Sequence, residues 1–110
     1  MPVLSDRLYR SLVRNLGEEL ARLIGEEYSI VELSELYESL YAPKISPEQF
    51  MLMMGNIIGE AITGDPNTRV GMESYDNGKA DFIVVKDGKL VAVFTLRFND
   101  TLKKIDKNLS

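Results

Sequence analysis

The stretch Lys79-Ala80-Asp81-Phe82-Ile83-Val84-Val85-Lys86-Asp87-Gly88-Lys89-Leu90-Val91-Ala92-Val93-Phe94-Thr95-Leu96-Arg97-Phe98 decides the fold. Two runs rich in β-branched and aromatic residues flank Asp87-Gly88, a dipeptide suited to a tight hairpin turn. They predict strands over 80–86 and 89–98. Upstream, Arg69 to Tyr75 has strand composition and ends in the turn Asp76-Asn77-Gly78. The expected sheet is a three-stranded antiparallel meander.

Working outward, the rest of the chain reads as helix. Leu4, Leu8, Leu12, Leu16, Leu20 and Leu23 recur at three- and four-residue steps and predict a helix over 4–24. Ser5 or Asp6 would cap its start, Gly25 would stop it, and Gly17 would weaken or bend its middle. A second helix is expected over 29–41, with Ser29 and Glu32 at capping-box spacing and Ile30, Leu33, Leu36, Tyr37 and Leu40 as its apolar face. Ser46, Pro47 and Gln49 open a third helix that runs to about Thr63 and is apolar on more than one face. That helix should be the most buried. The class is α+β, with three N-terminal helices followed by the meander.

Length and composition bound the function. The 110 residues suit one domain, with a helical part over 1–45, a core unit over 46–98 and a short polar tail over 99–110 that can start one helix. Apolar residues make up 45% of the chain, which argues against disorder. No apolar run approaches the roughly 18 residues of a membrane span, and the N-terminus is unlike a secretory leader, so a cytoplasmic protein with no membrane partner is expected. There is no Cys and no His. Thiolate metal sites and imidazole bases are therefore excluded, and any metal would be a hard cation held by oxygen. The net charge of −4 disfavours a strong nonspecific grip on nucleic acid. The charge is uneven, however. Residues 97–107 hold four basic and two acidic side chains, which makes Arg97, Lys103 and Lys104 candidate phosphate contacts.

Two segments together resemble a known pattern. Gly55-Asn56-Ile57-Ile58-Gly59-Glu60 lies on the third helix, and Asp81 precedes Thr95-Leu96-Arg97 on successive strands. This arrangement is similar to the PD-(D/E)XK nuclease superfamily, especially its RecB-like branch, over residues 46–98. The branch carries Gly-x-x-x-His-Glu on the helix, then an Asp and a Glu-x-Lys on the strands. Gly55, Glu60 and Asp81 match. Gly59 stands at the His position, Thr95 at the second acid and Arg97 at the lysine. The resemblance implies a restriction-endonuclease-like core. Only twelve residues follow Phe98, so the family's next helix and strand are expected to be missing or shortened.

The same resemblance implies a site at Glu60, Asp81, Thr95 and Arg97 whose chemistry has been lost. Such nucleases hold divalent ions between carboxylates, where the metal activates water and steadies charge on phosphate. Threonine is a poor ligand for a hard cation, and arginine cannot transfer a proton. Glu60 and Asp81 alone would bind metal weakly, and Arg97 would pair with Asp81 in the ion's place. Thr95 and Arg97 share one face of their strand. Asp81 joins them only in one register. A strict two-residue turn places Asp81 opposite Phe94, whereas a three-residue loop with a glycine bulge places it opposite Thr95. Asp87-Gly88 permits either.

Three functions follow. The first is a degenerate nuclease-like domain that needs no cofactor and binds nucleic acid or a protein partner; its size would suit an accessory protein of a virus or mobile element. The second is an active nuclease using magnesium or manganese, with Glu73 or Asp100 replacing the lost ligand. The third is an unrelated interaction domain. The free edges of a three-stranded sheet further predict a homodimer, formed by edge pairing or by helix packing.

Overall fold

The leucine repeat of the first 24 residues builds two helices, not one. The computed structural model describes residues 4–109. Helix α1 spans Asp6–Leu16 and α2 spans Glu18–Leu23, continuing as a π-helical turn over Ile24–Tyr28. The break is at Gly17, whose φ of 91° and ψ of 158° lie in a region essentially reserved for glycine. The Gly17 N–H still closes α1 on the Val13 carbonyl, while its own carbonyl receives the Ala21 N–H and starts α2. Gly25 does not end the helix as expected; it is buried inside the π-helical turn.

Helix α3 spans Leu33–Leu40, shorter than the sequence predicts. Ser29 is not its cap but lies buried before it, and Ile30 is 67% exposed instead of joining the apolar face. Tertiary structure replaces the side-chain cap. The Leu33 and Ser34 N–H groups, two of the orphan donors of a helix start, donate to the Asp100 and Phe98 carbonyls at 2.8 and 3.0 Å. The expected apolar residues Leu33, Leu36 and Tyr37 are buried.

Helix α4, Pro47–Thr63, follows its local signals closely. The Ser46 and Gln49 side chains form the reciprocal capping box, Pro47 occupies the first turn, and Gly64 closes the helix in left-handed conformation. It is the central helix, with Phe50, Met51, Met54, Ile57, Ile58 and Ala61 all buried. The buried Ser11 hydroxyl donates to the Ile57 carbonyl at 2.5 Å and ties α1 to it.

Strands β1 (Arg69–Asp76), β2 (Lys79–Lys86) and β3 (Lys89–Arg97) form the meander in the order β1-β2-β3. Ala80, Phe82 and Val84 of β2 face the helices and are buried. A Cβ added at Gly55 would overlap the Phe82 ring, and one at Gly59 would overlap Val70. These two glycines let α4 lie directly on the sheet, which is the packing alternative to a functional motif. Phe82 stacks on its cross-strand partner Phe94 with ring centroids 5.0 Å apart. The other sheet face leaves Ser74, Val93 and Arg97 exposed. The tail forms helix α5, Leu102–Leu109, joined to the N-terminus where Ser5 donates twice to the Asp106 carboxylate.

Candidate functional site

Asp81 sits on the open face of the middle strand, because its neighbours Ala80 and Phe82 point to the core. Both hairpins use two-residue turns, with positive φ at Asn77 and Gly78 and at Asp87 and Gly88. Each turn alone would fix the register, yet each register shifts by one residue further along. In β3 the pairing Lys86–Lys89 gives way to Val84–Ala92, so Val91 is a bulge. Without it, Asp81 would oppose Phe94 and the Phe94 and Leu96 side chains would turn outward. With it, both return to the core side and Asp81 faces Thr95. The structure thus uses the strict turn of one expected register and reaches the apposition of the other. In β1 the two-residue turn itself makes Ser74 the partner of Asp81, and a second bulge, at Glu73, lies just beyond that pair.

The result is a carboxylate held by two hydroxyls from its two flanking strands. The Thr95 hydroxyl donates to Asp81 Oδ1 at 2.5 Å, and the Ser74 hydroxyl donates to Oδ2 at 2.9 Å. These bonds hold the Asp81 carboxyl below its ordinary range, Thr95 contributing most, then Ser74. Slight desolvation opposes them, and the charges of Lys79 and Arg97 assist. The expected Arg97–Asp81 ion pair is not formed. Arg97 is exposed, and its backbone N–H donates to Asp100 Oδ2 at 2.8 Å. Each carboxylate oxygen accepts from a hydroxyl of an adjacent strand, and the guanidinium acts on the group only at range.

Glu60 belongs to a different part of the molecule. Its carboxylate accepts from Asn15 Nδ2 at 2.9 Å and lies 3.6 Å from Arg14 Nε, both on α1. It therefore serves the helix–helix contact, while Asp81 lies on the sheet face turned away from α4. Glu73 is the exposed bulge residue, and Asp100 is committed to the Arg97 backbone. Among the described residues, no group of three or more acidic side chains converges as a metal would need. The residues present do not fit a magnesium or manganese ion shared by Glu60 and Asp81.

Of the basic candidates, Lys103 and Lys104 both lie exposed on α5. Lys104 and Arg97 line the same groove, about 510 Å³ in volume, between the outer edge of β3 and α5. Ile58 and Ile62 of α4 also line it. The sequence reading missed this groove and missed Ser74. The signal for Ser74 was present: a two-residue turn at Asn77-Gly78 already pairs it with Asp81. Nothing local signals the groove, which depends on where α5 docks.

No protein-family model matches the chain, and neither a curated protein nor a solved structure matches it. Among the described residues, no helix is long and apolar enough to cross a membrane.

Proposed function

We propose that this domain acts by binding a partner and not by catalysis, as a nuclease-like scaffold whose catalytic positions have been reassigned to structure. One observation carries the reading. The two matching acids are separated, with Glu60 tied to Arg14 and Asn15 on α1 and Asp81 satisfied by Ser74 and Thr95 on the open face of the sheet. A hydrolytic metal centre needs carboxylates converging on one ion to activate water. Here each acid already has its own partners. The position of the second acid is a threonine whose hydroxyl donates to Asp81, so it closes the carboxylate instead of extending a ligand set.

Calorimetric titration with manganese tests this. The expected result is no saturable binding at micromolar to low-millimolar metal, unchanged in Asp81→Ala. Tight binding that disappears in Asp81→Ala would mean that the acids reorganise around an ion, and the reading would fail.

A further inference from the structure

We propose that the free edge of β3 and the adjoining face of α5 form a docking groove for an extended, acidic segment of a partner protein, which adds to the sheet as a fourth strand. The inference rests on the reading of the domain as a binding module and names the surface used.

The backbone of β3 supplies the first argument. β3 is terminal in the sheet. The Phe98 N–H donates to the Gly78 carbonyl at 2.9 Å, toward β2. Alternation then directs the backbone groups of residues 93, 95 and 97 to the free side. Asp100 closes one end of this edge: its carboxylate takes the Arg97 N–H, and its own N–H donates to the Arg97 carbonyl at 3.0 Å. Val93 and Thr95 remain, each with one donor and one acceptor facing the groove. That pattern is the complement of a peptide strand. Main-chain bonds of this kind give affinity, and alternate side chains give specificity.

The walls supply the second argument. Ile62 and Ile105, both half-buried, offer apolar surface on the core side of the groove, with buried Ile58 beneath them. Arg97 and Lys104 offer positive charge at its rim, and both are exposed. Among the described residues, the one acid lining the groove, Asp100, is engaged with the Arg97 backbone. A complementary strand therefore alternates apolar residues, turned to the isoleucines, with acidic residues turned to the rim. The rim is locally basic on a chain of net charge −4.

A second copy of the chain is the competing occupant, and it fits less well. The Val91 bulge restricts regular pairing to the segment after it, and bulges of this kind blunt edge-to-edge association. Self-pairing also sets the basic rim against itself. A nucleic acid strand would meet the charge but not the paired backbone donors and acceptors.

The test is a titration followed by hydrogen exchange at individual amides. The probe is an acetylated, amidated octapeptide in which valine alternates with glutamate. The expected result is slowing of exchange at Val93 and Thr95 by about tenfold or more. Lys104→Glu, an exposed substitution that leaves the core untouched, should weaken binding about fivefold. A peptide N-methylated at alternate residues on its strand-facing side should not bind. The proposal is overturned by unchanged exchange at Val93 and Thr95 in millimolar peptide, or by equal binding of the N-methylated peptide. Protection that grows with protein concentration alone would assign the edge to a second copy. Protection by oligothymidylate but not by peptide would assign it to nucleic acid. Both outcomes also overturn it. Failure here leaves the manganese result standing, whereas metal binding lost in Asp81→Ala would remove the parent reading whatever the peptide does.

Discussion

At the scale of single residues, Asp81 is a carboxylate held from both sides of its strand. Its two oxygens accept from hydroxyls on both neighbouring strands, and these bonds favour the charged form. The folded carboxyl therefore titrates below the unfolded one. A depressed value of this sign contributes stability above the unfolded carboxylate range, near pH 3.9, and the contribution is lost as pH falls through the folded value. Thr95→Val removes the larger cause. In that variant the Asp81 carboxyl should titrate at higher pH than in the parent, followed by its carbon chemical shift. Acid unfolding should then begin at higher pH. An unchanged titration would mean that the Thr95 bond does not control the carboxylate. The apposition of Asp81 and Thr95 was legible in the sequence as one of two registers. What stayed hidden was that a strict turn and a bulge coexist. The turn is chosen locally by Asp87-Gly88, and the bulge is demanded by burial of Phe94 and Leu96, a requirement set by the helices beneath.

Among the elements, two glycines separate backbone strain from packing. Gly17 has open space around its missing side chain but a φ of 91°. Gly17→Ala should therefore destabilise by about 1–3 kcal/mol through conformation alone. Gly55 is helical and its missing Cβ would strike the Phe82 ring. Overpacking there should cost about 1–3 kcal/mol, offset by up to about 1 kcal/mol of improved helix propensity. Chemical denaturation measures both. Adding Phe82→Leu should recover part of the loss in Gly55→Ala and none of that in Gly17→Ala. Equal responses in the two backgrounds would contradict this assignment. Helix α4 was legible almost to the residue because its cap, first-turn proline and terminal glycine are local signals. The start of α3 was not. Its first N–H groups bond to carbonyls at Phe98 and Asp100, a partnership some 65 residues away that no local pattern announces.

Over the whole molecule, the two sides of the sheet separate the candidate groups. The helical layer claims Glu60 through Arg14 and Asn15. The open face keeps Asp81, Ser74 and Thr95, and the β3 edge gathers Arg97 and Lys104 along one groove. The order of the elements and the α+β class followed from periodicity. The separation of the two acids did not, because it depends on which sheet face packs on α4 and on the partners that α1 brings to Glu60. The most direct measurement is a cleavage assay on single-stranded, duplex and branched DNA and on RNA, in magnesium and in manganese, with Asp81→Ala as the control. A binding domain predicts no cleavage above background with any substrate or metal. Cleavage by the parent protein that is lost in Asp81→Ala would contradict it and assign the open face of the sheet a catalytic role.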